Sequence, residues 1–180
     1  VNDIKRLYKY LDISFDYWYS ESDAYDYIPK VKEYLEEKNL LKDSEGAKVV
    51  FINKDTDKVE YPPLIFQKSN GAYLYQSSDL GTIYQRMEDF NPDHILYVTD
   101  QRQSMHFEQV FRVCELSKLN KDAKLLHLPH GTINGIDGKP YKTRSGDTPK
   151  LDDLFNEVKE ILNDFVVMQE DSVETLKKYL

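Results

Sequence analysis

A short basic loop holds the densest group of chemically useful side chains in the sequence. Residues 142–148 carry two cations, three hydroxyls and one glycine, and they follow a turn at residues 137–140. Cations neutralise phosphate charge, while hydroxyls and free backbone N–H groups donate hydrogen bonds to phosphate oxygens. The spacing is not that of a Walker A loop. Composition alone favours a solvated surface loop, so the phosphate-binding interpretation needs support from other residues.

A phenol and a carboxylate, Tyr75 and Asp79, stand four residues apart where a strand is predicted to give way to a helix. On a helix this spacing places both side chains on one face. A carboxylate that pairs in a bidentate manner, beside a phenol oxygen, suits a guanidinium cation. The alternative is that Asp79 is a first-turn acid favoured by the helix dipole, and these two residues alone favour that alternative.

A polar cluster at residues 100–107 follows a predicted strand, and it includes Gln103 and His106. Ligands of open parallel sheets lie beyond the carboxyl ends of the strands, so the cluster is a candidate ligand site. His106 and Gln109 are three residues apart and are expected to share a helix face. A plain loop followed by a helix cap explains the same pattern equally well.

Two histidines stand in the stretch 127–132, which ends with His130, Gly131 and Thr132. No acid or cysteine stands at a spacing suited to a metal, so no metal site is predicted. The better interpretation is that a histidine and a glycine at a strand end let backbone groups approach a base or a ribose.

The overall charge limits the kinds of partner. The chain has 24 Lys and Arg against 32 Asp and Glu, a net charge of −8. A surface that holds nucleic acid by charge alone is usually basic, so most of any RNA contact is expected outside this stretch. Acidity suits a small cationic ligand, although an acidic surface that favours solubility is the preferred explanation.

The single cysteine, Cys114, excludes an internal disulfide, and its apolar neighbours indicate a buried helix face rather than a nucleophile. No apolar run approaches the roughly 18 residues of a membrane span. The first residues do not have the pattern of a signal peptide. A cytoplasmic location is therefore predicted.

The periodicity of the first half predicts a helix at residues 4–10, an aromatic strand at 13–19 and a helix at 28–38. A small antiparallel unit is predicted within residues 46–75. Its strands are residues 48–52, 64–66 and 72–75, with a hairpin turn at 69–71.

The second half alternates helices and strands. The predicted elements are a helix from Ser78 to about residue 90, a buried parallel strand at 94–99, a helix at 104–118, a strand at 125–128, and helices at 151–162 and from 172 onward. This order indicates an α/β fold with a parallel sheet and right-handed crossovers, an architecture that often binds nucleotides.

Four groups of residues, taken in order, closely resemble the arginyl-tRNA synthetases, which are class I enzymes with a Rossmann-type catalytic domain. The resemblance extends from about Phe15 to the end of the basic loop, and Asp16 and Trp18 also fit it. The four groups are residues 71–80, 97–107, 130–132 and 142–146. The resemblance implies the second half of a Rossmann-type nucleotide-binding domain with a small antiparallel insertion.

The resemblance also implies roles for individual residues. Tyr75, Asp79 and Gln103 match positions that hold the arginine side chain. The positions near ATP are matched by His106, His130, Gly131 and Thr132. The residues 142–146 match the family's form of the KMSKS loop, which stabilises the departing pyrophosphate through Lys142, Arg144 and Ser145. Arg144 stands where most class I enzymes have the second lysine.

The implied reaction joins arginine to tRNA in two steps. Arginine and ATP give arginyl-adenylate and pyrophosphate, with Mg²⁺ expected alongside ATP, and the arginyl group then moves to the tRNA. Residues 1–149 would be a partial catalytic domain, and residues 150–180 would lead toward an anticodon-binding domain. The 180 residues contain no His-x-Gly-His motif of the HIGH type. The chain alone is therefore expected to be inactive.

Two other interpretations stay open at this point. One is a different nucleotidyl transferase with a basic pyrophosphate loop, although the set Tyr75, Asp79 and Gln103 favours arginine. The other is a non-catalytic, synthetase-like module that binds arginine or a nucleotide.

Overall fold

The computed structural model describes residues 2–132, 153, 155–156 and 158–160. The chain divides into two compact units, one of Val1–Asp16 with Ile133–Leu180 and the other of Tyr17–Thr132. The predicted loops at 135–138 and 142–146 and the predicted helix from residue 172 lie outside the described residues. The described positions between 153 and 160 are helical, in agreement with the predicted helix at 151–162.

The first unit contains helix α1, Asn2–Tyr10, which confirms the predicted helix at residues 4–10. The Tyr8 ring packs edge-on against Phe15, with ring centroids 5.0 Å apart.

The aromatic strand predicted at residues 13–19 is wrong. This segment has no strand, and Tyr17, Trp18 and Tyr19 expose roughly half of their surface. Its alternating pattern suits a sheet, but neither of the two sheets formed by the described residues includes it, and a strand needs a hydrogen-bonded partner.

Helix α2, Ile28–Glu37, confirms the helix predicted at residues 28–38. Proline at the second helical position suits a helix start, because the first N–H groups of a helix have no acceptor within it. Ile28, Val31 and Leu35 recur at helical spacing and are buried.

A three-stranded antiparallel sheet follows α2. Its strands are β1 (Leu41–Ser44), β2 (Ala47–Val50) and β3 (Leu64–Gln67), in the order β1–β2–β3. Strands β2 and β3 were expected. Strand β1 was not, because its sequence Leu-Lys-Asp-Ser is polar and only Leu41 is buried.

The third strand predicted at residues 72–75 is wrong, although the turn before it is confirmed. Gly71 has φ of +83°, and its N–H donates to the Lys68 carbonyl at 2.9 Å. The hairpin ends after a single bridge between Gln67 and Tyr73. The chain then enters helix α3, Tyr75–Asp89.

Helix α3 begins three residues before the predicted start at Ser78. The N–H of Leu74, which precedes the helix, donates to the Ser77 hydroxyl at 3.4 Å, and that hydroxyl donates to the carbonyl of Phe66 on β3. The helix start is therefore stabilised by a hydrogen bond to a strand residue eleven positions earlier in the sequence. A search for local capping residues does not detect such a contact.

The parallel pair consists of β4 (His94–Asp100) and β5 (Lys124–His130), connected through helix α4 (Ser104–Ser117). These elements confirm the predicted strand–helix–strand order and the α/β fold. Strand β4 was expected to be buried, but its residues alternate. Ile95 and Tyr97 face the core, while Leu96 and Val98 on the opposite face are exposed.

The hydrophobic core lies among α2, α3, α4 and the inner faces of the strands, with Phe66, Leu80 and Val113 fully buried. Cys114 is also fully buried, and this burial raises the pKa of its thiol, as expected for a core residue. Within the described ranges, no helix is long and apolar enough to cross a membrane.

Candidate functional site

The polar cluster after β4 folds into a short 3₁₀ turn, Gln101–Gln103, that leads into α4. The backbone N–H of Arg102 donates a hydrogen bond to the carboxylate of Asp100 at 2.8 Å. The Nε and Nη2 of the Arg102 side chain donate to the two oxygens of the same carboxylate, at 2.9 Å each. The hydrogen bonds from Arg102 hold the pKa of Asp100 below its usual value. The turn is therefore held by both backbone and side-chain contacts.

An open cavity of about 540 Å³ lies where the beginnings of α3 and α4 meet the 3₁₀ helix Glu21–Tyr27. Its lining residues are Glu21, Tyr75, Ser78, Asp79, Arg102, Gln103 and His106. Tyr75, Asp79 and Gln103, which were predicted to hold one side chain together, thus line one cavity. Tyr75 is 71% exposed, so its ring is available to a ligand.

Asp79 of α3 and His106 of α4 meet inside this cavity. The His106 Nε2 lies 2.5 Å from the Asp79 Oδ2, and their side chains are 22% and 29% exposed. His106 was predicted to lie near a nucleotide, and the structure places it against the carboxylate predicted to bind a guanidinium.

Glu21 was not identified from the sequence. The Ser78 hydroxyl lies 3.1 Å from the Glu21 Oε1 and 3.0 Å from the Tyr75 carbonyl, within hydrogen-bonding distance of both acceptors. Glu21 stands 58 residues before Asp79, at the start of the 3₁₀ helix, so no local spacing links the two acids. The structure brings both carboxylates to the wall of one cavity.

The close approach of α3 to the 3₁₀ helix depends on Gly81. A Cβ added at this position would lie 2.9 Å from the Ala24 carbonyl oxygen and 3.4 Å from the Ile28 side chain. This is closer than carbon and oxygen atoms normally come, so any larger residue would separate the helices that carry Asp79 and Glu21.

The residues predicted near adenine and ribose lie at the carboxyl end of β5. His130 pairs in register with Asp100 of β4, so the ends of the two strands are side by side. The His130 Nδ1 lies 2.8 Å from the Gly131 carbonyl, and among the described residues no atom lies within 4 Å of the place where a Gly131 Cβ would stand. His130, Gly131 and Thr132 are not among the lining residues of the Asp79 cavity.

Two other polar residues of this region have structural contacts. The His127 Nε2 lies 2.9 Å from the Thr99 hydroxyl, and its ring packs on Phe107. Gln109 donates to the Pro62 carbonyl at 3.0 Å and is buried, and it is not among the residues that line the cavity with His106.

Lys142, Arg144 and Ser145, the predicted catalytic residues of the basic loop, lie outside the described residues. Among the residues that the structure does describe, no group of three or more His, Cys, Asp or Glu is arranged to hold a metal ion.

Comparison with known proteins gives a consistent set of relatives. The sequence model described as "tRNA synthetases class I (R), catalytic domain" matches residues 1–178. An arginine–tRNA ligase of Agathobacter rectalis is 47% identical over 165 residues, which are 91% of this chain and 28% of that protein. An arginine–tRNA ligase of Francisella tularensis subsp. novicida is 40% identical and covers 98% of this chain and 31% of that protein.

Solved structures agree with these sequence relatives. The arginyl-tRNA synthetase of Plasmodium falciparum superposes with a TM-score of 0.74 at 29% identity, covering 95% of this chain and 27% of that one. A Campylobacter jejuni structure superposes with a TM-score of 0.63 at 18% identity over 81% of this chain and 31% of that one, and it supports the fold alone. The chain spans less than one third of the length of these relatives.

Proposed function

This chain belongs to the family of class I arginyl-tRNA synthetase catalytic domains, and on that premise we propose that the intact protein joins arginine to tRNA. In the first step, arginine and ATP form arginyl-adenylate and pyrophosphate. In the second, a hydroxyl at the tRNA 3′ end attacks the arginyl carbonyl, the bond to the adenylate phosphate oxygen breaks, and AMP is released. Arginine, ATP and tRNA are the proposed partners, and a cytoplasmic location is proposed with them.

The observation that supports this proposal best is the cavity that Asp79 shares with Tyr75, Gln103 and Glu21. A guanidinium has five N–H donors in a fixed plane, and it matches carboxylate oxygens in a bidentate manner. Asp79 is proposed as the main acceptor, Tyr75 and Gln103 as neutral hydrogen-bonding partners, and Glu21 as a second negative charge. Lysine has the same charge but cannot make the same planar set of hydrogen bonds.

The chemistry of the first step requires no covalent bond to the protein. The arginine carboxylate attacks the α-phosphorus of ATP, a new C–O–P linkage forms, and the bond to the β-phosphate oxygen breaks to release pyrophosphate. The protein contributes by positioning the reactants and stabilising charge. Magnesium ion would arrive with the ATP phosphates and neutralise part of their charge.

The remaining site residues receive roles on the same premise. His130, Gly131 and Thr132 lie at the carboxyl end of β5, where parallel sheets bind ligands, and we propose that they contact ATP. Lys142, Arg144 and Ser145 are proposed to stabilise the departing pyrophosphate. Because the chain carries a net charge of −8, most tRNA contacts are proposed to come from elsewhere in the intact protein.

The experiment that tests the arginine pocket is calorimetry with arginine and lysine on the intact protein and two variants. We expect arginine to bind more tightly than lysine and Asp79→Asn to weaken arginine binding by about 10- to 100-fold, the usual effect of losing a charged hydrogen-bond partner. Asp122→Asn is the control, because this exposed carboxylate lies outside the cavity. Unchanged arginine affinity in Asp79→Asn would refute the pocket.

The isolated 180 residues are proposed to lack the activity of the intact protein. They contain no His-x-Gly-His motif, so we propose that they do not form arginyl-adenylate alone. Arginine-dependent exchange between ATP and pyrophosphate above a no-protein control would contradict this proposal.

A further inference from the structure

The pair formed by His106 and Asp79 joins the first turn of α4 to the second turn of α3. His106 Nε2 and Asp79 Oδ2 are 2.5 Å apart. The two residues are 27 positions apart, so the contact depends on how the two helices pack. Within residues 2–132, the Asp79 carboxylate has its side-chain hydrogen bond with His106.

The His106 ring contacts the hydrophobic core through its neighbour Phe107. It packs edge-on against Phe107, with ring centroids 5.1 Å apart. Phe107 is itself buried and lies against Tyr97, with centroids 4.8 Å apart. The imidazole therefore presents Nε2 to Asp79 while its ring packs against the edge of the core.

We propose that His106 is a positioning residue for arginine recognition, and that it acts through Asp79. The Nε2–H of the imidazole donates to Oδ2 and fixes the rotation of the carboxylate. A carboxylate has about four acceptor positions, so this bond leaves the other positions for the guanidinium. A carboxylate fixed in advance loses less conformational freedom when the ligand binds.

This inference rests on the proposed arginine pocket, and it differs from a nucleotide contact in what it predicts. A histidine that touches ATP affects ATP binding. A histidine that orients Asp79 affects arginine binding and leaves ATP binding unchanged. A histidine that orients Asp79 also affects arginine binding only while residue 79 carries a carboxylate.

The test uses the intact protein with three variants, His106→Leu, His106→Gln and His94→Leu. Glutamine keeps an N–H donor and leucine does not. His94 is an exposed histidine at the start of β4 that does not line the Asp79 cavity, so it is the matched control. Thermal melting of each variant establishes that it is folded.

In His106→Leu, we expect the dissociation constant and the KM for arginine to rise about tenfold, which is the lower end of the loss seen when a residue that orients a metal ligand is removed. The ATP dissociation constant and kcat should stay within about twofold. His106→Gln should restore most of the arginine affinity, and His94→Leu should match the parent. A variant whose ATP affinity falls more than its arginine affinity would overturn the proposal, and so would unchanged arginine affinity.

A double-mutant cycle with Asp79→Asn completes the test. If His106 acts through Asp79, adding His106→Leu to Asp79→Asn changes kcat/KM for arginine no further. Additive losses would overturn the inference. Absence of arginine binding by the parent protein would refute the proposed function itself, whereas loss in Asp79→Asn without loss in His106→Leu would refute only the role of His106.

Discussion

The guanidinium of Arg112 and the carboxylate of Asp57 form a two-point ion pair, with Nη1–Oδ2 at 2.5 Å and Nη2–Oδ1 at 2.9 Å. The same guanidinium lies 3.9 Å from the centre of the Tyr61 ring and donates to the Ile52 carbonyl at 3.2 Å. Because Arg112 belongs to α4 and the other three residues lie between β2 and β3, these contacts fasten that long connection to the helix.

This ion pair predicts an acid-sensitive contribution to stability. The hydrogen bond from Arg112, followed by the backbone N–H of Lys54, lowers the pKa of Asp57 to about 2. An unfolded chain has an Asp pKa of about 3.9, so the stabilisation is complete above that pH and is lost as the pH falls from about 4 toward 2. We expect Asp57→Asn to reduce the loss of stability on acidification, measured by urea unfolding between pH 5 and 2.5.

The control for this measurement is Asp43→Asn. Asp43 pairs with Lys48 on the surface, where ion pairs contribute little. This variant should keep the pH slope of the parent. Equal slopes for the parent and Asp57→Asn would contradict the proposed role of the Arg112–Asp57 pair.

Gly81→Ala is predicted to destabilise the second unit by about 1–3 kcal/mol, the usual cost of overpacking. The new Cβ would press on the Ala24 carbonyl, and relief requires α3 to move away from the 3₁₀ helix that carries Glu21. We also expect weaker arginine binding, because this movement separates Glu21 from Asp79. Gly131→Ala is the control for thermal melting, since its added Cβ meets no atom of the described residues within 4 Å. Equal melting temperatures for both variants would show that the close approach is unimportant.

Glu21→Gln is predicted to weaken arginine binding less than Asp79→Asn does. Glutamine keeps a side-chain oxygen that can accept the hydrogen bond from the Ser78 hydroxyl. The local hydrogen bond therefore survives while the negative charge is lost. We expect the arginine dissociation constant to rise by about 3- to 10-fold, as for a partly exposed charge. Calorimetry with Ser78→Ala separates the charge from the hydrogen bond. An affinity unchanged in Glu21→Gln would exclude this acid from recognition.

The local pattern predicted much of this chain, and its failures have physical causes. The helical spacing of Ile28, Val31 and Leu35 correctly predicted α2. The alternation of strands and helices correctly predicted the parallel pair of β4 and β5. The spacing of four between Tyr75 and Asp79 put both on the wall of one cavity. The predicted start of α3 was wrong because the observed start depends on a hydrogen bond from the Ser77 hydroxyl to the carbonyl of Phe66 on β3.

Contacts between distant residues could not be predicted in this way. Glu21 gives no periodic signal, and its place beside Ser78 arises only when α3 packs against the 3₁₀ helix. The pairing of His106 with Asp79 likewise depends on helix packing. The aromatic residues at 13–19 alternate as a strand does, but a strand requires a neighbour as well as a pattern.

The exposed face of the parallel pair predicts how the isolated 180 residues behave in solution. Leu96 pairs in register with Leu126, and Val98 pairs with Leu128, so four side chains that are 43–67% exposed form one apolar stripe. Contiguous apolar surface favours association, and we expect concentration-dependent self-association in sedimentation experiments. Leu96→Gln combined with Leu128→Gln should reduce it, whereas Leu116→Gln, on an exposed part of α4, should not. A monomer at all concentrations, or equal association of both variants, would contradict this prediction.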